Sequence, residues 1–355
     1  MASLPRFNQD SSAFYSDLKK RVSDYFETQG KTHTGNFSLF QKAMILSALV
    51  IGLYIHLVFG QPSGILAVME CLALGAGIAG IGFNVMHDGA HGSFSRSKFL
   101  NEMAAFSLNI FGGNSFMWKQ KHNVIHHTFT NVTGVDDDID IQPWLRMSDQ
   151  QKKYFFHRFQ HLYVWFLYAQ FFIFWVFYLD YQKYFNRKIG GIPLARMSWR
   201  DHTLFWGSKL LHLVIFIILP IAKVGFFKWL LGFLLVSWTT GFVLSLVFQL
   251  AHTVDNTLFP VPNHLSGKLE DNWAVHQLKT TSNFAVKNRL VSWFTGGLNY
   301  QVEHHLFPRI SHVHYPAISE ILRNTCKEYA LPYQEYPKLR TAILSHALFL
   351  RRLGV

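Results

Sequence analysis

The chain has 355 residues, half of them hydrophobic and only 15% charged, with 34 Phe, 14 Tyr, 10 Trp and a formal net charge of +12. Its apolar residues are gathered into runs of membrane-helix length rather than spread over two soluble cores. The two cysteines exclude a disulfide framework and a thiolate metal site. The positive charge suits anionic headgroups, a phosphate-bearing carrier or an acidic redox partner, and argues against nucleic acid.

Residues 1–42 are polar and lack the apolar core of a secretory signal. Within them Phe14, Leu18, Val22 and Phe26 recur every four residues, which predicts an amphipathic helix lying on the protein or membrane surface. The main domain is expected over 43–355. It opens with membrane helices at about 43–59 and 64–86, joined by Gly60-Gln61-Pro62-Ser63, and Glu70 is the only charged residue across that hairpin. Gly75, Gly77, Gly80 and Gly82 give the second helix a run of small residues, expected to serve close helix packing.

At the end of that helix stand His87 and His91, whose i, i+4 spacing lets both imidazoles reach one ion. His122 and His126 have the same spacing, and His127 lies about 100° further round the helix, placed for a second ion. Lys119 and Lys121 precede this cluster. Asp136, Asp137, Asp138 and Asp140 follow it in a loop, where one of them, Asp138 for instance, is a candidate to orient a ligating imidazole and the others read as a solvated turn.

The charge-free run Leu162 to Leu179 has ten aromatic residues in 18. It is read as an interfacial or re-entrant helix, because Tyr and Trp favour the headgroup level. A second hairpin follows at about 205–222 and 227–250. Two residues past Leu250 comes His252, then His276 with Asn272 four residues before it, and last Gln301 with His304 and His305.

Seven or eight imidazoles are too many for one tetrahedral or octahedral ion, so two metals sharing a pocket is the economical reading. The basic stretches 1–42, 182–202 and beyond 250 place those segments in the cytoplasm. All three clusters then fall on one face, provided that 162–179 does not cross. The expected fold is therefore an all-α integral membrane protein with about four transmembrane helices in two hairpins and a cytoplasmic helical cap that carries the metals.

Three segments together carry a resemblance: His87-Asp88-Gly89-Ala90-His91, His122-Asn123-Val124-Ile125-His126-His127 and Gln301-Val302-Glu303-His304-His305. They resemble the histidine boxes of the membrane fatty acid desaturases. The glutamine that opens the third box is similar to that of the front-end subgroup and its bacterial acyl-lipid and linoleoyl-CoA relatives. The resemblance implies a di-iron enzyme using O2 and two electrons to desaturate a long acyl chain carried by CoA, a carrier protein or a glycerolipid. It implies His87, His91, His122, His126, His127, His304 and His305 as ligands, with a further one from His252, preferred, or from His276. Gln301 is implied as a weak ligand or one acting through water. No haem motif of a fused cytochrome b5 is present, so electrons are expected from a separate ferredoxin or cytochrome b5. Two other readings stay open on sequence: a histidine-box hydroxylase or monooxygenase, and a membrane metal transporter or sensor. The transporter would hold its ligands at mid-membrane rather than at helix ends.

Overall fold

A computed structural model describes residues 4–8 and 13–355. Helix α1, Ala13–Thr28, buries Phe14, Leu18, Val22 and Phe26. The stripe faces protein rather than lipid: it packs on Leu278, Ile318, Leu322 and Cys326 of the C-terminal cap, and Arg21 pairs with Glu328 at 2.9 Å. Burying four such side chains contributes roughly 1.5–3 kcal/mol each.

Among the described residues, five helices are long and apolar enough to cross a membrane: α2 Phe37–Gly60, α3 Gly64–His91, α6 Phe155–Asn186, α7 Trp199–Val224 and α8 Phe226–His252. Four of them match the expected hairpins and run further than hydropathy alone suggests, because polar caps set their ends. The Asn36 side chain accepts the Leu39 N–H at the start of α2, and Ser198 with Asp201 forms a reciprocal capping box at the start of α7. The fifth, α6, is one continuous helix that extends the 162–179 run at both ends. Its two ends meet the same loop: His157 Nε2 lies 2.7 Å from Pro143 O, and Lys183 Nζ donates to Asp137 at 2.7 Å.

The remaining helices form the cap: α4 Lys98–Ile110, α5 over 115–129, α9 Trp273–Thr280, α10 Arg289–Phe294, α11 Gln301–Leu306, α12 Tyr315–Glu328 and α13 Leu339–Gly354. Its two-residue strands are minor; 283–284 pairs in parallel with 335–336. At the far end of the membrane helices, Gln61 Nε2 donates to Lys223 O at 3.0 Å, so the two hairpin tips touch.

From those tips α3 and α8 run side by side in the same direction, so both end at the cap. A Cβ on Gly75 would lie 2.5 Å from Val236 O, and one on Gly77 would lie 2.8 Å from Val50 Cγ2. The small residues thus serve packing on two sides, Gly75 against α8 and Gly77 against α2. Replacing Gly75 by Ala is expected to lower the thermal midpoint, with a cost of roughly 1–3 kcal/mol for overpacking. Gly52→Ala, where a Cβ meets nothing within 4 Å, is expected to raise it slightly through helix propensity. Thermal unfolding of the two variants in detergent checks the opposite signs; a neutral Gly75→Ala would refute the close contact.

Candidate metal centre

Three helix ends and one short helix bring the sequence clusters together. His87 and His91 come from the last turn of α3, His252 from the last residue of α8, His122, His126 and His127 from α5, and His304 and His305 from α11. All eight are buried, none more than 9% exposed. Their nitrogens fall into two groups whose donor atoms lie within 4.8 Å of one another. One is His87, His91, His122 and His304; the other is His126, His252 and His305. His127 stands at the junction, its ring centroid 4.5 Å from that of His304 and 4.4 Å from that of His305.

The backbone that carries His122 and His126 departs from a regular α-helix. Residues 120–126 form a wide turn with i→i+5 hydrogen bonding, which rotates less per residue than a regular helix and brings residues five apart nearer the same side. His127 Nε2 therefore lies 3.2 Å from His122 Nε2, and His122 Nε2 lies 3.3 Å from His87 Nε2. A similar wide turn, Gly82–Met86, immediately precedes His87.

The outer nitrogens of the rings are held by protein. His126 Nδ1 donates to Asp136 at 3.0 Å, His305 Nδ1 to Gln277 Oε1 at 2.8 Å and His252 Nδ1 to Thr280 O at 3.3 Å, while His304 Nδ1 meets the Tyr315 hydroxyl at 3.1 Å. A proton fixed on Nδ1 leaves a lone pair on Nε2. The Nε2 atoms of His91, His126, His252, His304 and His305 have no hydrogen-bond partner among the described residues. Buried polar atoms are seldom left so, and neighbouring lone pairs repel. The donor set, all imidazole, therefore fits metal cations between the rings and suits iron, copper, nickel or zinc.

Electrostatics keep the donors available. Burial holds His122, His127, His304 and His305 well below the ordinary imidazole value, and neighbouring imidazoles push the same way. They are neutral at physiological pH, so few protons have to leave when a cation binds. His126 is the exception: burial disfavours its charged form, but Asp136 and then Asp138 raise it above the usual value.

In the loop after α5 Asp140 is exposed, while the three aspartates before it are engaged by neighbouring side chains. Asp136 is 1% exposed and accepts from His126 and from the Asn131 N–H. Asp138 lies 3.4 Å from His126 Nδ1 and pairs with Lys121 at 2.5 Å, and Lys119 pairs with Glu102. These lysines thus have carboxylate partners. His276 turns away from the cluster: its Nε2 lies 2.9 Å from Thr130 O, and burial takes it down to about 4. Asn272 caps α9, accepting the Val275 N–H. Gln301 is buried in the first turn of α11, its amide oxygen without a partner among the described residues.

Several contributors carry no motif of their own. Gln277, Tyr315 and Thr280 orient rings from other elements. Asn131, with φ of +59°, donates to His252 O at 2.8 Å and Leu258 O at 3.1 Å, tying α5 to the end of α8. A buried polar chain braces the first box. The Asp88 carboxylate accepts from Ser311 Oγ at 2.7 Å and His312 Nδ1 at 3.0 Å. His312 Nε2 then faces Lys42 Nζ at 3.0 Å, and Lys42 also donates to Asn84 Oδ1 at 2.7 Å. Asp88 inside the first box and Ser311-His312 just past the third were the available signals, but their pairing spans more than 220 residues.

Beside the cluster a cavity of about 1070 Å³ runs between α6, α8 and the 137–145 loop. Its lining includes His122, His126, His252, Trp118, Phe171, Trp175, Leu244 and Phe248.

Residues 63–337 match the family described as fatty acid desaturase. The chain is 33% identical to an sn-1 linoleoyl-lipid 6-desaturase of Arthrospira platensis, over 97% of this chain and 94% of that protein. It is 35% identical to a protein of the same name from Synechocystis sp., over 95% and 94%. An acyl-lipid (8-3)-desaturase of Physcomitrium patens is 34% identical over the whole of this chain and 74% of its own length.

His252→Ala is expected to lose bound metal while His276→Ala keeps it. Asp136→Asn should weaken retention roughly 10–100-fold, as removing a carboxylate behind a ligating imidazole does. Metal content of the purified variants after timed chelator exposure checks all three; metal loss from His276→Ala alone would overturn the assignment.

Proposed function

Because this chain belongs to the fatty acid desaturase family, we propose that it inserts a double bond near the carboxyl end of a lipid-linked, long acyl chain. It is a multi-pass membrane oxidoreductase of fatty acyl chains with a histidine metal site. The finer reading is a di-iron, front-end enzyme that takes its electrons from a separate ferredoxin or cytochrome b5, with its active site on the cytoplasmic face. The relatives named for lipid-linked substrates support the carrier and the front-end position.

The observation that carries the reading is the cavity beside the histidines. His122, His126 and His252 stand in its wall, and Phe171, Trp175, Leu244 and Phe248 line it with apolar surface. Towards the lipid side it is bordered by Trp144, Phe166 and Phe174, which are 59%, 64% and 49% exposed. An acyl chain can enter there from the bilayer without leaving apolar surroundings. The other border is polar, with Lys121, Asp137, Asp138, Gln182, Lys183 and Asn186, and suits the ester and headgroup.

Two irons would supply an oxidant made from O2, which an unactivated C–H bond requires because it offers no acidic proton to a base. In the balanced reaction two hydrogens leave adjacent methylenes, and with two external electrons and two protons they reduce O2 to two waters. The aromatic walls hold the chain and exclude water from the reacting carbons. Asp136, Gln277, Thr280 and Tyr315 keep the imidazoles aimed.

We read α6 as lying along the membrane interface. Both its ends contact the loop after α5, whose Asp136 stands behind His126, which supports keeping both ends on the face that carries the histidines. The four remaining long helices then return every histidine to one face.

Expression in a host of known lipid composition should yield a new double bond on the carboxyl side of existing unsaturation, found in intact glycerolipids before the CoA pool; a hydroxylated product, or labelling of acyl-CoA first, would refute the proposal. Purified protein should hold about two irons and turn over only when a reduced ferredoxin or cytochrome b5 is added. Tags after Gly60 and Val224 should be reachable from the extracytoplasmic side and a tag at Gly190 from the cytoplasm. An external Gly190 would show that α6 crosses.

A further inference from the structure

Away from the metal centre, the turn that leads into α10 and the start of α13 enclose an open depression of about 540 Å³. Its lining includes Lys287, Arg289, Leu290, Lys338 and Leu339 and contains no carboxylate. None of its three cations enters an ion pair among the described residues. Helix α13 has 16 residues and begins at Leu339 with no side chain capping its first turn. Its free N–H groups and positive dipole end add to the field of the three cations.

The depth of this basin follows from what α10 touches. Trp293 O accepts from Lys42 Nζ at 3.2 Å, Phe294 O accepts from Asn84 Nδ2 at 2.8 Å, and the Phe294 and Phe83 rings lie edge to face at 6.2 Å. The helix therefore sits where α2 and α3 leave their apolar spans. At that level Leu290 is 75% and Trp293 40% exposed. Exposed apolar side chains lie beside a basin of unpaired cations at the end of the membrane helices, an arrangement that suits an amphiphile with an anionic head.

We propose that Lys287, Arg289 and Lys338 bind the phosphate of an anionic membrane lipid whose tails pass over Leu290. The site is separate from the acyl cavity, with which it shares no lining residue, and it does not rest on the desaturase chemistry. The bound lipid is a fixed neighbour rather than a substrate: it adds an anchor for the cap at the bilayer surface, on the side of α2 and α3.

The test uses the full chain in phosphatidylcholine nanodiscs titrated with phosphatidylglycerol, with retained lipid counted by native mass spectrometry. At roughly fivefold per cation, the combined variant Lys287→Gln, Arg289→Gln, Lys338→Gln is expected to lose at least about tenfold in affinity for one phosphatidylglycerol. Lys20→Gln, Lys268→Gln, Lys327→Gln removes the same charge elsewhere on the exposed surface and should stay within about twofold of the parent. Thermal midpoints of both should match the parent. Equal losses in the two variants would mean diffuse charge attraction and overturn the site. So would an unchanged affinity in the first variant, or displacement by millimolar inorganic phosphate with no preference for phosphatidylglycerol over phosphatidylcholine.

Discussion

Eight imidazole rings facing one another in a buried space set the constraint on which the rest of this molecule depends. Each inward nitrogen left without a partner costs roughly 1–3 kcal/mol, and the closest pair is only 3.2 Å apart. Two things relieve such a cluster: cations between the rings, and surrounding protein that fixes each ring from behind. Asp136, Gln277, Thr280 and Tyr315 meet that second requirement from four different elements.

The same requirement explains why so much charge is buried around the site. Lys209 and Asp180 pair at 2.9 Å, Lys183 and Asp137 at 2.7 Å, and Lys121 and Asp138 at 2.5 Å, along the α6 side of the cavity. Burial alone would lower Lys121 and raise Asp138; their mutual attraction reverses both. Removing one partner of such a pair leaves an uncompensated charge, typically at a cost of about 3–5 kcal/mol. These pairs clamp α6 and α7 to the loop that carries Asp136. On the other side of the cluster, the chain from Lys42 through His312 to Asp88 ties α2 and the residues after the third box to the first box.

The membrane helices serve the centre by bringing it to one level. Because α3 and α8 run in parallel from touching hairpin tips, their last residues, His91 and His252, arrive at the same height. Gly75 lets the α3 and α8 backbones approach closely enough for that alignment, and Gly77 makes room for Val50 of α2. The aromatic helix α6 closes the cavity from the side. Its Phe166 and Phe174 are exposed while its ends stay anchored in polar contacts.

Local spacing was enough to mark the histidine clusters. His87/His91, His122/His126/His127 and His304/His305 stand out because histidines one helical turn apart share a face, and the hydropathy runs place them at helix ends; the structure nevertheless divides His122 from His126 and His304 from His305 between the two groups. The two hairpins and the amphipathic α1 were legible for the same reason, since each depends on periodicity within a single segment. What the sequence could not supply was long-range pairing and local backbone departures. The wide turn at 120–126 moved His127 close to His122, and no residue type there announces it. The choice of Asp136 over Asp138 as the main partner of His126, the turning away of His276 toward Thr130 O and the full length of α6 all depend on contacts between segments 10 to 150 residues apart. A ligand's identity is written in its own turn of helix; its orientation is decided by whichever distant donor or acceptor folding brings behind it.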